Sequence, residues 1–416
     1  MQRQVRSKTI YYVFLFICVL LACLIPRGTS ILRVRIGVNI SLYSLAALLT
    51  WLLMSRKLVV FKSIEGWFFP VWVLFVAIGV WRAKELGVWA YYLIWSAVAV
   101  LFQQILFANR TLKTFEVTVT AICIGLFVHL AIGIYEITAH TYLFETGNIG
   151  RRLYGRVAIS VFRNLNDYAT FLTTIFPFAI YKFFQQKKFP KKIFYAALAV
   201  VSIFLILRSE CRGSVAALAL LAIMLVILYY KRARRYQVIT IAGILLTLIV
   251  FLVLPSARQW LVNVVQSNNE LEGTSNELRI NLIKDGLYFL KRTYGFGVGA
   301  GNLHYWLSNY SIHDIKHIRY MHNWYVELLA TFGIVFFVLY MIVHVRNFIG
   351  LFTSYDRNDR FWNLNNTILV SFASFSIVSI SSSSNAYSEW VWMYLVFVTT
   401  YCFAYCKRKI RKENHT

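Results

Sequence analysis

Long apolar runs recur along the whole chain and constrain its fold more than any other feature. Each run is about 16 to 23 residues long, close to the roughly 20 residues that a helix needs to cross a bilayer. Because hydrocarbon does not tolerate unpaired backbone groups, each run must be a helix and the polar breaks must lie at the membrane surfaces. The sequence therefore predicts an all-α, polytopic integral membrane protein, with residues 1–416 forming one membrane domain. The predicted spans, about twelve in number, are roughly 10–25, 38–54, 67–81, 88–108, 115–137, 167–184, 193–208, 213–230, 238–255, 324–345, 367–384 and 390–405.

Composition supports this class and excludes a soluble protein. Hydrophobic residues make up 59% of the chain and charged residues only 14%, and a soluble fold could not hide so much apolar surface. The span at 67–81 is short and holds Pro70, so it is predicted as a crossing helix, a re-entrant segment or part of a neighbouring span. The first run lacks a small-residue cleavage site, so it is interpreted as a span and not as a signal peptide.

Basic residues are distributed unequally between the two sides of the predicted bundle. With the amino terminus inside, the short cytoplasmic segments hold 25 of the 43 Lys and Arg residues, as the positive-inside rule expects. Both termini are therefore predicted to be cytoplasmic. The outer loops also keep a positive balance, which indicates an anionic partner there, with ordinary solvated loop charge as the alternative. Since topology explains the inner charges, the net charge of +26 does not indicate nucleic-acid binding.

Cysteine and histidine spacing gives no support for a metal site. The six cysteines lie in or beside apolar spans without a C-x-x-C pair, which is typical of small core residues. His313 and His317 have the i, i+4 spacing of a zinc pair, with Asp314 nearby, but no third ligand accompanies them at a suitable spacing. We therefore predict no metal and no cofactor.

Two outer segments, at about 138–166 and 256–323, are longer than simple connections need to be. Unstructured loops beyond about 15 residues are usually functional or disordered, and the periodic apolar content of the second segment predicts order. Apolar residues at 280, 283, 287 and 290 have helical spacing, so residues 276–291 are predicted to form an amphipathic helix. This helix would lie on the membrane or on the helix bundle.

A glycine-rich stretch, Tyr294-Gly295-Phe296-Gly297-Val298-Gly299-Ala300-Gly301, follows that helix. Gly297 and Gly299 would permit a close backbone approach to a ligand, with a plain turn as the alternative. A nucleotide-binding loop is excluded because no strand precedes the stretch and because it lies on the outer side.

Three outer positions place ionisable groups beside apolar spans. His322 opens the span at 324–345, followed by Asn323 and Glu327, and its pKa there would depend on burial and on nearby charge. Arg208 and Arg212 occupy a very short turn between two spans. Charges so near hydrocarbon usually serve a function or have a partner, although an ion pair of Arg208 with Glu210 that caps the two helices would be a structural explanation. Two spans separate Arg212 from His322, so both are predicted on the same side.

Three separated blocks resemble the O-antigen ligase and Wzy-type polymerase superfamily of bacterial surface-polysaccharide enzymes. The first block, Val161 to Ala169, holds Asn164 and Asn166 and is similar to a Phe-x-Asn-x-Asn-x-x-Ala segment. The second, Ser209 to Ser214, is similar to a Ser-Arg-Gly turn. The third runs from Glu277 through the glycines to Glu327 and is similar to the large outer loop. The resemblance covers about 155–340.

The resemblance implies which residues carry the chemistry. Two arginines and a histidine at the outer face are implicated in that family, and the matching positions are Arg212, Arg279 and His322. Glu210 and Cys211 stand between Ser209 and the arginine, where the family more often has none, so Arg208 remains an alternative to Arg212. Substrate-binding roles are predicted for a further set, which comprises Arg208, Asn164, Asn166, Gly297, Gly299, Asn323 and Glu327.

The implied activity is glycosyl transfer from a polyprenyl-diphosphate-linked glycan in the bacterial plasma membrane. Guanidinium groups suit diphosphate binding, and a neutral imidazole can remove the proton of the acceptor hydroxyl. The predicted partners are the lipid-linked donor, a glycan acceptor and membrane lipids, with flippase and chain-length regulator proteins as further candidates. Polymerase is favoured over ligase, and a non-enzymatic flippase is the third alternative, disfavoured because charged residues do not continue through the spans.

Overall fold

The computed structural model describes most of the chain as helices. It covers residues 2–24, 30–33, 39–54, 63–144, 155–162, 164–209, 211–229, 275–316, 318–354, 363–382, 385–386 and 388–406. Two short strands, β1 (Ser30–Arg33) and β2 (Asn39–Ser41), pair antiparallel between the first and second helices along the chain. The remaining regular structure is helical, which confirms the predicted helical membrane protein apart from this small ribbon.

Eleven of the predicted spans coincide with described helices, whereas the span predicted at 238–255 lies outside the described residues. The stretches 64–82, 86–108, 112–138, 189–208 and 324–353 are long and apolar enough to cross a membrane. The number of twelve crossings therefore stays a prediction. The helices are α1 (Gln2–Leu24), α2 (Leu42–Met54), α3 (Ile64–Ile78), α4 (Leu86–Ala108), α5 (Leu112–Thr138), α6 (Leu165–Gln185), α7 (Phe189–Arg208), α8 (Arg212–Tyr229), α9 (Ser275–Arg292), α10 (Leu303–Tyr310), α11 (Trp324–Thr353), α12 (Leu364–Val378) and α13 (Glu389–Tyr401).

The span that holds Pro70 is one continuous helix. Ser63 caps α3 by accepting a hydrogen bond from the Gly66 backbone amide at 3.4 Å, and a 3₁₀ turn, Gly79–Arg82, extends the helix at its carboxyl end. Helix and turn together are long enough to cross a membrane. Of the three predicted alternatives, the structure therefore supports a crossing helix.

Aromatic side chains fill the centre of the bundle. Trp72 of α3 stacks on Trp392 of α13, with ring centroids 3.7 Å apart. His129 of α5 is packed and hydrogen-bonded: its imidazole contacts Ser160 Oγ at 2.9 Å and the Cys23 carbonyl oxygen at 2.7 Å. All six cysteines are free and buried, which confirms them as core residues.

Helix α11 reverses its direction at Gly333, so the continuous span predicted at 324–345 is wrong. Trp324 and Tyr340 would be about 24 Å apart along a straight helix, yet the indole Nε1 donates a hydrogen bond to the Tyr340 hydroxyl at 3.0 Å. The Tyr325 and His344 rings also approach, with centroids 6.4 Å apart. Gly333 has φ 81° and ψ 179°. Residues 324–332 therefore form a half-helix that packs beside the crossing helix 334–353.

The glycine-rich stretch occupies the reversal and completes its backbone hydrogen bonding. Val298 N donates to the Ala330 carbonyl and Gly299 N to the Thr331 carbonyl, both at 2.8 Å. Ile334 N donates to the Gly295 carbonyl at 2.9 Å. A broken helix is tolerated at membrane depth only where protein or water satisfies its backbone groups, and the glycine-rich stretch meets that requirement.

The amphipathic helix predicted at 276–291 exists as α9, and it packs on the protein through a stripe other than the apolar one counted in the sequence. Leu282 and Phe289 are fully buried, and a Cβ atom on Gly286 would stand 2.6 Å from Met321 and 2.7 Å from Val326. Ile280 and Leu287, from the predicted apolar face, are about half exposed. Gly286 allows α9 to approach the half-helix closely, and this decides which stripe is buried.

Candidate functional site

Three helix amino termini lie close together in the structure. They are the start of α8 at Arg212, the first turns of α9 around Arg279, and the start of the half-helix at Trp324. Trp324 N donates to the Ser379 carbonyl at 2.9 Å, and a Cβ atom on Gly213 would lie 2.0 Å from Ser381 Oγ. Helix amino termini carry partial positive charge, so their meeting point favours an anion.

Arg279 interacts electrostatically with Arg212 and with His322, which belong to the other two helix starts. It is half-buried, and burial together with the charge of Arg212 lowers its pKa, while Cys211 acts in the opposite direction. A guanidinium remains protonated at neutral pH despite such a shift. Arg212 is exposed. The two guanidinium groups therefore lie within electrostatic range of each other, which costs free energy until an anion comes between them.

His322 lies in the same group. Burial and then the charge of Arg279 lower the pKa of His322 to about 4, so its imidazole is neutral at pH 7. Its backbone has φ 49°, a left-handed conformation that costs a non-glycine residue about 1–3 kcal/mol and often occurs at functional sites. Nδ1 is buried and, within the part of the chain that the structure describes, makes no hydrogen bond.

Asn323 caps the half-helix, so the cap is not provided by His322. Its Oδ1 accepts hydrogen bonds from Tyr325 N at 3.1 Å and Val326 N at 3.2 Å. Glu327 lies one turn later, is buried, and donates its backbone amide to the Asn323 carbonyl at 2.9 Å. The cap fixes the direction in which the half-helix begins, and thereby the position of the preceding residue, His322.

Arg208 and Arg212 lie in one turn but have different surroundings. Arg208 donates from Nε to the Arg156 carbonyl at 3.1 Å and from Nη2 to the Gly155 carbonyl at 3.2 Å. These bonds attach the outer segment 155–162 to α7. Glu210, the predicted structural partner of Arg208, lies outside the described residues. The geometry favours Arg212 over Arg208 as the anion ligand.

The remaining predicted substrate-binding residues have structural roles in the described part of the chain. Asn164 caps α6 by accepting a hydrogen bond from Asn166 N at 2.7 Å, and Asn166 is half-buried in the first turn. Gly297 and Gly299 have φ 74° and 88° and support the reversal at Gly333. Their contact with substrate stays a prediction.

The histidine spacing at 313–317 does not assemble a metal site within the described residues. His313 contacts the buried carboxylate of Asp285 at 2.7 Å, whereas the Asp314 carboxylate accepts a hydrogen bond from Lys316 N at 2.9 Å. His317 lies outside the described residues. The Asp285–His313 pair fastens the segment before His322 to α9.

Sequence reasoning missed two contributors to this region. The first is the turn after α12, where Ser379 and Ser381 form a wall of the site. The second is Glu136, whose Oε2 accepts hydrogen bonds from Ile159 N at 2.9 Å and Ser160 N at 2.8 Å. An isolated glutamate at the outer end of a span was the available signal.

Comparisons with known proteins identify the family to which the chain belongs. The sequence profile of the family described as O-Antigen ligase matches residues 171–341, which contain Arg212, Arg279 and His322 but not the segment 155–170. The chain is also 30% identical over 340 residues to the teichuronic acid biosynthesis protein TuaE of Bacillus subtilis (strain 168), covering 79% of this chain and 70% of that protein. The chain thus belongs to the O-antigen ligase and Wzy-type polymerase family of membrane proteins in polysaccharide biosynthesis.

Proposed function

We propose that the protein polymerises polyprenyl-diphosphate-linked oligosaccharide repeat units on the outer face of the bacterial plasma membrane. The observation that carries this proposal is the grouping of Arg212, Arg279 and a neutral His322 where three helix amino termini meet. The group combines an anion-binding surface with a proton acceptor. Both termini would be cytoplasmic, with the site open to the outside.

The proposed reaction is a direct displacement at the anomeric carbon of the donor. The neutral imidazole of His322 takes the proton of an acceptor hydroxyl as its oxygen bonds to the anomeric carbon. The bond between that carbon and the diphosphate oxygen breaks, and the electron pair leaves with the polyprenyl diphosphate. One displacement inverts the anomeric configuration.

Arg212 and Arg279 would hold the diphosphate and stabilise the charge that develops as it leaves. The repulsion between the two guanidinium groups is relieved when a diphosphate binds between them. The partial positive charges of the helix amino termini add to this attraction. These groups supply what a divalent cation provides in other transferases, and we therefore propose a metal-independent reaction.

The setting supports a role in the cell envelope. The relative from Bacillus subtilis is named for teichuronic acid biosynthesis, and we extend to this chain the general role of building an envelope glycan from lipid-linked units. The donor and acceptor would be lipid-linked glycans in the outer leaflet. A flippase would deliver the repeat units, and a chain-length regulator would set the length of the product.

A ligase that moves the finished glycan to another envelope molecule would use the same three residues. We place it second because a polymerase needs no further class of acceptor. A transporter is third. In the described helices, the ion pairs Glu65–Arg346 and Lys182–Glu116 lie near helix ends, whereas a transport route would need such groups along the middle of the bundle.

The test uses the purified protein in liposomes with one lipid-linked repeat unit as the sole glycan. A polymerase produces a ladder of lipid-linked oligomers, and chelation with EDTA leaves the ladder unchanged. Transfer that occurs only after a different envelope acceptor is added would indicate a ligase. Movement of the lipid across the bilayer without new glycosidic bonds would contradict both enzymatic functions.

A further inference from the structure

A second set of outer cations lies on a loop that is fixed to the glycine-rich stretch. Lys84 N donates to Asn302 Oδ1 at 2.7 Å, and Asn302 Nδ2 donates to the Arg82 carbonyl at 3.0 Å. Glu85 N donates to the Gly301 carbonyl at 3.2 Å. These are backbone attachments of the loop, so the loop is held in place while the Arg82 and Lys84 side chains remain exposed.

Arg319 joins this loop from the segment that precedes His322. Its charge acts on Glu85 and on His304, and His304 Nδ1 lies 3.6 Å from Glu85 Oε2. Burial and then Arg319 lower the pKa of His304 to about 4, so His304 is neutral at pH 7. The rim cluster, defined as Arg82, Lys84 and Arg319, therefore sets three cations against the one carboxylate of Glu85.

The rim cluster lies at the level of the outer membrane interface. Trp81, directly before Arg82, is 91% exposed, and Phe296 of the glycine-rich stretch is 73% exposed. Exposed tryptophan at the end of a crossing helix is typical of the headgroup region. Basic residues directly outside a span are also what the positive-inside rule should deplete, so their presence at this level indicates a retained function.

The rim cluster and the first anion site approach His322 from different elements. Arg212 and Arg279 are carried by α8 and α9, whereas the rim cluster is carried by the turn after α3 and by the segment before His322. Arg319 precedes His322 by three residues, so their Cα atoms are at most about 11 Å apart. The half-helix places His322 deeper than Gly333, because Trp324 lies beside Tyr340. A glycan of a few sugar rings would bridge that separation.

We propose that the rim cluster binds the diphosphate of the acceptor lipid, so that the acceptor glycan extends from the rim to His322. The ligand class is a polyprenyl diphosphate, held through its phosphate oxygens by two guanidinium groups and one ammonium. Arg212 and Arg279 hold the donor diphosphate. This inference rests on the proposed polymerase function, because a polymerase joins two substrates that both carry a lipid diphosphate.

The test compares two acceptors in the full-length protein reconstituted with a lipid-linked donor. One acceptor is the lipid-linked repeat unit, and the other is the same oligosaccharide without lipid and diphosphate. In the pair Arg82→Gln with Lys84→Gln, and separately in Arg319→Gln, kcat/KM for the lipid-linked acceptor should fall about tenfold or more, as expected for lost charge-assisted bonds. The rate with the free oligosaccharide should not change.

The matched control is the pair Lys284→Gln with Lys291→Gln, which removes two positive charges from the exposed side of α9. It should leave both acceptors unaffected. An equal loss in the control pair, or an equal loss with both acceptors in the rim variants, would overturn the rim site. If the wild-type protein elongates neither acceptor, the proposed function itself fails, and the rim site fails with it.

A binding measurement with farnesyl diphosphate as the probe gives a second readout. The wild-type protein should bind two equivalents, the rim variants one, and the pair Arg212→Gln with Arg279→Gln also one, retained at the rim. Vesicles of phosphatidylglycerol that compete as well as farnesyl diphosphate at the rim would indicate a site for ordinary anionic lipid and would overturn the proposal. Unchanged stoichiometry in the rim variants would do the same.

Discussion

The indole of Trp324 donates a hydrogen bond to the hydroxyl of Tyr340 at 3.0 Å, although the two residues are 16 positions apart in what the sequence presents as one span. This contact holds the half-helix against the crossing helix. Both Tyr325 and His344 also bond to Ser376, at 2.8 Å each, so α12 fastens the two parts of α11 together. The amino-terminal end of the half-helix, which follows His322, therefore has a fixed depth.

Tyr340→Phe should destabilise the protein by about 1–3 kcal/mol, because a buried indole N–H loses its acceptor. The expected result is a lower unfolding temperature in detergent, measured by differential scanning fluorimetry. Tyr12→Phe is the control, since the Tyr12 hydroxyl makes only a 3.4 Å contact with Thr111 in an exposed position. Equal stability of Tyr340→Phe and the control would contradict the role assigned to this contact.

Gly297→Ala should prevent the reversal of α11 from forming correctly. A Cβ atom there would lie 2.5 Å from Gly333 N, and the backbone has φ 74°, so the combined overpacking and left-handed strain should cost about 2 kcal/mol or more. Gly79→Ala is the matched control, because its Cβ atom would have no neighbour nearer than 3.9 Å. The yield of monodisperse protein in size-exclusion chromatography measures both.

His322→Asn should lower transfer activity without lowering the stability of the protein. Asparagine tolerates the left-handed backbone at φ 49°, so the variant should be at least as stable as the wild type. Asparagine takes up no proton at neutral pH, and transfer should fall by about 10²–10⁴, the usual contribution of a general base. Near-normal transfer by this variant, measured with lipid-linked donor in membranes, would refute the proposed role of His322.

Arg212→Lys and Arg208→Lys should have opposite profiles. Lysine at 212 keeps the charge but loses the fork that holds two phosphate oxygens, so transfer should fall while the unfolding temperature is retained. Lysine at 208 loses at least one bond to the Arg156 and Gly155 carbonyls, so stability should fall more than turnover per folded molecule. If Arg208→Lys abolishes transfer in well-folded protein, the assignment of the two arginines is reversed.

The pH dependence should differ between free enzyme and substrate complex. Since the pKa of His322 is lowered to about 4, its imidazole is neutral above that pH, and kcat/KM should fall only as pH drops towards 4. A bound diphosphate neutralises the charge of Arg279, which removes one cause of the lowered pKa. The acid limb of kcat should therefore lie at higher pH than that of kcat/KM. An acid limb of kcat/KM near 6.5 would contradict this assignment.

Much of the helical layout was predictable because hydropathy records burial in lipid directly. A shared side for Arg212 and His322 was also predictable, because two predicted spans separate them, whereas Arg279 was identified through the resemblance to a family. The reversal at Gly333 was not predictable from apolar content, because residues on both sides of it remain apolar.

The buried face of α9 was missed for a related reason. Periodicity found the stripe of Ile280 and Leu287, but a second stripe at Leu282 and Phe289 has similar spacing. Gly286 decides between them by allowing close approach to Met321. Asn164 shows the same limit, since a motif shared with a family does not distinguish a helix cap from a ligand contact.

Because of the reversal at Gly333, the depth of His322 in the membrane does not follow from the side of the membrane to which its loop belongs. The segment before His322 descends to Trp324 and the half-helix returns from there to Gly333, so together they add no crossing. Topology reporters fused near His322 should therefore still register the predicted outer side. A cysteine near His322 would nevertheless lie about 10 Å below the level of Gly333, because seven helical residues lead from Gly333 to Tyr340. A water-soluble reagent can reach that depth only through an aqueous passage. Labelling at this position is therefore a measure of how open that passage is, and its rate should drop when a lipid-linked substrate fills it.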